Sequence, residues 1–175
     1  MTAQGVIMSM TTTRSTTQPH PFDPRDFRRT LGMFATGVTV VTYEHEGSYY
    51  GATVNSFTSV SIDPPLVLVS LAARSRAAMM LRDRPFAINV LHHDQHATAM
   101  QFAGKPQSVE LIEWNLEQAA PRLAESHAAF VCTPWAIHEA GDHILVLGHV
   151  EHYEASETDA LVFYQGAFQR LSSAS

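Results

Sequence analysis

Short runs of apolar residues, separated by turn-forming residues, recur along most of this chain. In several of the runs apolar and polar positions alternate with a period of two, which is typical of strands with one buried face. The pattern predicts about eight short strands, and many short strands of this kind favour a β-barrel, which removes exposed sheet edges. The segments concerned are VTVVTYE, YYGATV, SVSID, LVLVSL, PFAINVL, AAFVCTPWAIHEA, HILVLGHVEHYE, ALVFYQG and AFQRL.

Three short helices are predicted between these strands. Asp23 can cap the first helix, with Pro24 as its first residue, and apolar residues then recur at helical spacing up to Phe34 until Gly37 ends the run. ARSRAAMMLRD predicts the second helix, with Ser75 near its start, and DQHATAMQFAG predicts the third, which Gly104 stops. Residues 105–125 have a weak pattern and predict a loop with a helical turn near Trp114.

Length and composition narrow the class of protein. A chain of 175 residues fits a single domain, which we expect over residues 22–175, after a Ser- and Thr-rich tail at 1–21 that we expect to be disordered. The net charge of −6 argues against nucleic acid as a partner. The single cysteine, Cys132, excludes a disulfide within the chain and lies in an apolar run, which predicts a buried thiol.

The sequence predicts neither a membrane-spanning helix nor a signal peptide. No apolar run approaches the roughly 18 residues of a membrane-spanning helix, and the N-terminal segment lacks the charge and the apolar length of a signal peptide. We therefore expect a cytoplasmic protein without membrane association.

A cluster of neutral polar side chains lies beside a strongly apolar strand. Within ATVNSFTSVS, hydroxyl and amide groups occur with no charged residue among them. Such groups next to a core predict a ligand that is flat, polar at its edge and largely uncharged there. The cluster comprises Thr53, Asn55, Ser56, Thr58 and Ser59.

A nucleotide, if one binds, must be held by an unusual site, because the chain has neither G-x-G-x-x-G nor G-x-x-x-x-G-K-[ST]. Ser75 could cap a helix whose free N–H groups, together with Arg74 and Arg76, would bind a phosphate. On this stretch alone, a capped surface helix with solvated arginines is the more ordinary interpretation.

Histidines suggest two further possibilities. His92, His93 and His96 could face one another on a helix and bind zinc, but a solvated helix start is the better interpretation because no partner motif accompanies them. HEAGDH places His138 and His143 around a tight turn, at a spacing that fits no familiar metal site. His143 opens an apolar strand, where it lies either at the mouth of a barrel or as a half-exposed strand residue.

Six segments in this order resemble the flavin reductase family, the small reductase components of two-component flavin monooxygenases. The resemblance runs from about Asp26 to Leu171, and its G-D-H turn is typical of the branch that uses NAD(P)H. The chain departs from the family in the loop at 105–120 and at Gln165, where the family often has a basic residue. The segments are FRRTLGMFATGVTVVT, GATVNSFTSVSIDPPLVLVSL, FAINVL, AMQFAG, AGDHILVLGHV and LVFYQGAFQRL.

The resemblance implies a homodimeric split β-barrel that binds FMN or FAD, more often FAD in this branch. It implies that NADH or NADPH reduces the flavin and that a separate flavin-dependent monooxygenase receives it. His143 would be the catalytic residue beside the nicotinamide, with Asp142 next to it and with Gly32 and Phe34 touching the same cofactor. For the flavin, the resemblance implies Thr53, Val54, Asn55, Ser56, Phe57 and Ser59 along the isoalloxazine ring, Ser70, Leu71, Ala72, Ser75 and Arg76 along the ribityl phosphate, and Phe102, Ala103 and Gly104 as a further contact.

Two other classes of function stay open. One is a flavin-binding protein without reductase turnover, against which the G-D-H turn counts. The other is a metal-dependent β-barrel oxygenase that uses the histidines, which metal analysis of the purified protein would separate from a flavin enzyme.

Overall fold

The computed structural model describes residues 22–106 and 111–171 and shows a mainly β protein with three short helices. The expected disordered tail at 1–21 lies outside the described residues. The helices are α1 (Pro24–Leu31), α2 (Arg76–Met80) and α3 (His96–Phe102). The strands are β1 (Thr36–Gly37), β2 (Thr39–His45), β3 (Ser48–Val54), β4 (Thr58–Ile62), β5 (Pro65–Ala72), β6 (Phe86–Val90), β7 (Trp114–Asn115), β8 (Arg122–Leu123), β9 (Ala128–Ala140), β10 (His143–Ala155), β11 (Leu161–Tyr164) and β12 (Ala167–Arg170).

Seven of the strands form one antiparallel sheet in the order β3-β2-β6-β9-β10-β5-β4. A second sheet has the order β1-β11-β12, and β7 pairs with β8. The nine longer strands, against about eight predicted, lie on the segments named from the sequence, and β1, β7 and β8, of two residues each, add to them. No helix in the described part of the chain is long and apolar enough to cross a membrane.

The main core lies between the large sheet and α2. It consists of side chains such as Val41, Val69, Phe86 and Ile144, each almost fully buried, and it contains the sulfur of Cys132 as predicted. Burial raises the pKa of the Cys132 thiol to about 12, with a smaller contribution from the charge of Glu151. A second core joins the sheet to α3 and to the β11–β12 hairpin through Val38, Val40, Leu91, Ala99, Leu123 and Leu161.

Helix α1 begins as predicted and ends earlier than predicted. The Asp23 side chain accepts a hydrogen bond from the Arg25 N–H, which confirms the cap. The helix ends at Leu31, with Gly32 as its C-cap, and not at Gly37. The chain tightens there because the N–H groups of the next two residues bond to carbonyls only three positions back, and Gly37 instead pairs with β11 in strand β1.

The segment around Trp114 corrects a second prediction, because it forms a strand and not a helical turn. Trp114 pairs with Leu123, and its ring packs 5.2 Å from the ring of Tyr49 on β3. Apolar contact with the sheet therefore fixes a segment whose own pattern is weak.

A buried amide ties the same segment to the sheet. Asn89 on β6 donates to the carbonyl of Val40 and to the hydroxyl of Thr42, each at 2.9 Å, and it accepts from the N–H of Leu123 at 2.9 Å. The Thr42 hydroxyl in turn donates to the carbonyl of Pro121 at 2.5 Å. Every member of this network has a partner, as buried polar groups require.

Candidate functional site

A cavity of about 500 Å³ lies between α1 and the segment that joins β3 to β4, and we call it the ring cavity. Its volume is in the range of small-molecule sites. It brings together two sets of residues that the resemblance assigns to different rings, Gly32 and Phe34 for the nicotinamide and Asn55 to Phe57 for the flavin. The lining residues are Arg28, Leu31, Gly32, Phe34, Thr36, Asn55, Ser56, Phe57, Thr58 and Phe163.

The flavin-side wall is held in place by Ser56. Its hydroxyl donates to the carbonyl of Ser70 at 2.8 Å and accepts from the N–H of Ser70 at 3.0 Å, so it replaces a strand partner for β5. Phe57 packs on Phe130 of the main core, with ring centroids 5.3 Å apart. Asn55 is exposed between these anchors, and no hydrogen bond to its amide is found among the described residues. The wall therefore offers an amide and apolar surface without a formal charge.

The opposite wall is the C-terminal end of α1 and the residues after it. The carbonyl of Gly32 accepts a hydrogen bond from the Gln165 N–H at 2.9 Å, which joins α1 to the β11–β12 hairpin. Phe34 projects from this end with 77% of its surface exposed. An aromatic side chain exposed to that extent can contact a planar ligand in the ring cavity.

His143 is the first residue of β10, directly after the tight turn at Gly141, as predicted. Its Nδ1 lies 2.7 Å from Oδ1 of Asp142, and its side chain is 43% exposed. This hydrogen bond is the main cause that lowers the pKa of Asp142, followed by the charge of His143 and, more weakly, that of Arg28. A His143 that donates from Nδ1 to this carboxylate leaves its Nε2 free for a ligand.

The charge of Arg28 on α1 contributes weakly to the lowered pKa of Asp142 in the G-D-H turn. The turn also touches the end of β5, since Ala73 N–H donates to the carbonyl of Asp142 at 3.0 Å and His143 is paired with Ala72. His143 is nevertheless outside the lining of the ring cavity itself. It lies next to the segment that the resemblance assigns to the ribityl phosphate, paired with Ala72.

Residues of that phosphate segment are in different environments. Leu71 belongs to the main core and is 2% exposed, so only its backbone can face a ligand. The Ser75 hydroxyl caps α2 by accepting from the Ala78 N–H at 3.1 Å, which confirms the predicted cap. The guanidinium carbon of Arg76 lies 3.8 Å from the ring centroid of Tyr50, an aromatic stack that orients its exposed N–H groups.

Several predicted cofactor residues lie away from the ring cavity. The Thr53 hydroxyl donates to the carbonyl of Ala99 on α3 at 2.7 Å, and Val54, whose side chain points to the other face of β3, packs on the main core. Ser59 is exposed on β4. At the end of α3, Phe102 packs beside Gly51 and the ring of Trp114, while Ala103 and Gly104 are exposed next to it. Cofactor contact by these residues stays a prediction.

The histidine cluster is arranged differently from the zinc alternative. Donor atoms of His92, His93 and Asp94 lie within 4.8 Å of one another, but His96 packs edge-on against Phe168 with centroids 4.6 Å apart. Asp94 also accepts from Arg170 at 2.9 Å. A guanidinium at that distance opposes a cation, so the arrangement does not favour a metal site.

Sequence reasoning missed several residues that line the ring cavity. Leu31, Thr36 and Phe163 supply apolar surface and a hydroxyl, and Arg28 supplies a positive charge. Arg28 could have been found, because it precedes Gly32 by four positions and therefore lies on the same face of α1. Phe163 comes from a distant hairpin and had no local signal.

Several known proteins resemble this chain over most of its length. A family model described as "Flavin reductase like domain" matches residues 31–172. The NADH-dependent flavin reductase of a Rhodococcus species is 40% identical over 152 residues, which is 85% of this chain and 86% of that protein. The reductase subunit HsaB of a flavin-dependent monooxygenase from Mycobacterium tuberculosis is 35% identical over 153 residues, which is 83% of this chain and 81% of that protein.

A solved structure shares the fold as well. The flavin reductase PheA2 in its native state superposes with a TM-score of 0.83 at 35% identity, over 86% of this chain and 99% of that one. Together with the family match over most of the chain, this similarity shows that the protein belongs to the family of flavin reductase-like domains.

Proposed function

We propose that this protein is an NADH-dependent flavin reductase that supplies reduced FAD or FMN to a separate flavin-dependent monooxygenase. The observation that carries the proposal is the ring cavity, whose two walls are the segments that the resemblance assigns to the nicotinamide and to the flavin. The names of the Rhodococcus and HsaB relatives support the nucleotide and the partner, respectively.

The residues of the ring cavity fit a flavin and a nicotinamide. Phe34, Phe57 and Phe163 supply apolar surface for ring faces, and Asn55, Ser56 and Thr58 supply neutral polar groups for a ring edge. When both cofactors are bound, the chemistry that they supply is transfer of a hydride from the nicotinamide to the flavin.

The work of the protein is orientation of the two cofactors. Asn55 would bind the polar edge of the flavin, and the Ser56–Ser70 hydrogen bonds keep that wall in register with β5. His143, oriented by Asp142, would hold the nicotinamide through its free Nε2. Since hydride transfer needs no side-chain base, the role of His143 is positional, and correct placement alone can account for large rate effects.

The proposal extends to a homodimeric split barrel. Helix α1 buries none of its residues. Phe27 and Leu31 on the helix are 50% and 57% exposed, and Phe34 just after it is 77% exposed. Ile62 on β4, an edge of the large sheet, is 95% exposed. Exposed apolar surface of this extent favours a second copy of the chain as its cover. Light scattering at micromolar concentration should give the mass of a dimer, and a monomer mass would contradict this part.

Absorbance at the nicotinamide band tests the enzyme function. NADH should be consumed faster with protein than without it when FAD or FMN is added, and NADPH serves as the comparison nucleotide. A protein that binds flavin but consumes neither nucleotide would be the non-catalytic alternative. Activity that is lost with a chelator and restored by a metal would favour the metal-dependent oxygenase.

A further inference from the structure

A second cavity, of about 640 Å³, adjoins the ring cavity around the end of α1, and we call it the hairpin cavity. Arg28 and Gly32 line both cavities. The other lining residues of the hairpin cavity are Arg29, Thr30, Met33, Gln165 and Gly166. A ligand whose ring occupies the ring cavity and which extends past Gly32 would therefore pass Arg28 and enter the hairpin cavity.

The positive charges of α1 are not equivalent. Arg29 forms a salt bridge with Asp26, one turn earlier on the exposed face. Arg25 lines another depression, together with Asp23 and Asp26. Arg28 forms no salt bridge among the described residues, and it lines both the ring cavity and the hairpin cavity. Arg28 is thus the arginine of α1 that lines both cavities and forms no salt bridge among the described residues.

Backbone hydrogen bonds join the segment of Arg28 to Gly32 and to the β11–β12 hairpin. Its carbonyl accepts from the Gly32 N–H at 3.0 Å, and the Gly32 carbonyl accepts from the Gln165 N–H at 2.9 Å. The facing hairpin contributes the neutral amide of Gln165, which donates to the sulfur of Met33 at 3.2 Å. The hairpin cavity therefore presents positive charge and neutral groups, which suits an anionic ligand portion.

We propose that Arg28 binds the pyrophosphate of the pyridine nucleotide and so positions its nicotinamide in the ring cavity. The inference rests on the proposed function. The pyridine nucleotide fits this arrangement because its phosphates are joined through one ribose to the reacting ring. Arg28 is a positioning residue in this account, since it acts on the ring through the phosphates.

Two hydride donors, one with phosphates and one without, test whether Arg28 acts through the phosphates of the nucleotide. Dihydronicotinamide riboside has the same reacting ring as NADH but no phosphate. Arg28→Ala should raise the KM for NADH by about tenfold and leave the KM for the riboside within about twofold, because only the first loses a charge-assisted hydrogen bond. Arg28→Lys should recover part of the loss. Arg25→Ala, on the same helix but outside the hairpin cavity, is the matched control and should leave the KM for NADH near that of the parent.

Salt and binding measurements make the test independent of turnover. The parent's affinity for NAD⁺ in calorimetry should fall as ionic strength rises, and Arg28→Ala should bind NAD⁺ about tenfold more weakly with a smaller dependence on salt. Equal losses for both hydride donors, or unchanged binding of NAD⁺, would overturn the proposal. A loss confined to FMN affinity would overturn it too, because Arg28 would then bind the flavin phosphate. A parent that binds NAD⁺ but reduces no flavin would contradict the proposed function, while the calorimetric comparison would still decide the role of Arg28.

Discussion

Ser56 and Ser70 exchange two hydrogen bonds, with the Ser56 hydroxyl donating to the Ser70 carbonyl and accepting from its N–H. The β3–β4 connection is thereby held against β5, which fixes one of the two anchors of the ring-cavity wall. Ser56→Ala should lower the free energy of unfolding by about 1–3 kcal/mol, because it leaves two backbone groups without a partner. It should also weaken flavin binding, as measured by flavin fluorescence titration. Ser61→Ala on β4 is the control, and equal effects of the two variants would contradict the assignment.

His143→Ala should raise the KM for NADH and slow flavin reduction by about tenfold or more, because misplacement of a reacting pair is costly. Flavin affinity and thermal stability should stay nearly unchanged, since the side chain is outside the core. Stopped-flow reduction of the protein–flavin complex measures the rate. His138→Ala, an exposed histidine on the neighbouring strand β9, is the control. A rate for His143→Ala within twofold of the parent would remove the histidine from the mechanism.

The Asp142–His143 pair predicts a titration. Because the hydrogen bond from His143 lowers the pKa of Asp142, the folded state favours the ionised carboxylate. Any stabilisation from this pair is present above the unfolded pKa of Asp142 and is lost as the pH falls through the lower folded value. Carboxyl NMR should give a midpoint for Asp142 below 3.8 in the parent and a higher midpoint in His143→Ala. The same midpoint in both proteins would show that the pair does not form in solution.

Arg76→Ala should weaken FMN binding by about 1.5–3 kcal/mol, the usual contribution of a charge-assisted hydrogen bond, and should barely change the binding of riboflavin. The stack of Arg76 on Tyr50 adds a second expectation. Tyr50→Leu keeps the charge but removes the support, so its effect on FMN should be smaller and of the same kind. If Arg76→Ala weakens both ligands equally, the arginine acts through the structure and not through the phosphate.

Cys132 should be inert in the folded protein. It is fully buried, and its pKa is raised to about 12, so the thiol is protonated at any pH near neutrality. The stabilisation from burying the neutral thiol is complete below the ordinary value of 9.0 and is lost as the pH rises toward 12. A thiol reagent at pH 8 should label one equivalent in denaturant and almost none without it. Rapid labelling of the native protein would contradict the burial.

Much of the fold could be predicted from the sequence, because strand periodicity and turn residues are local signals. The hairpin at 38–54, the Asp23 and Ser75 caps and the long strands on either side of Gly141 follow from residues that are neighbours in the chain. The predicted end of α1 at Gly37 was wrong, because the apolar residues beyond Leu31 continue the helical spacing although the backbone turns there. The prediction of a helical turn near Trp114 was wrong because the structure of that segment depends on Tyr49 and Asn89, which are far away in sequence.

The residues of both walls of the site could be predicted from the sequence, but their arrangement around one cavity could not. The neutral cluster at Asn55 and Ser56 indicated a flat ligand, and the resemblance supplied the opposite wall at Gly32 and Phe34. That both walls line one cavity is a tertiary relationship, which no window of sequence contains. Thr53 shows the limit of the local argument, because its hydroxyl is directed to α3 although its neighbours in the cluster lead to the ring cavity.

The amide of Asn89 holds the neighbouring segment through backbone atoms, so this attachment does not depend on the side chains of that segment. Two of its three partners, the Val40 carbonyl and the Leu123 N–H, are backbone groups, and the Thr42 hydroxyl extends the anchor to another backbone group at Pro121. Substitutions in the segment before residue 121 would leave this attachment intact. The end of the stretch that departs most from the family pattern is thus attached through backbone groups, while Trp114 within it packs on Tyr49. New surface chemistry could be introduced at its exposed positions, such as Leu116 and Glu117, without loss of this attachment.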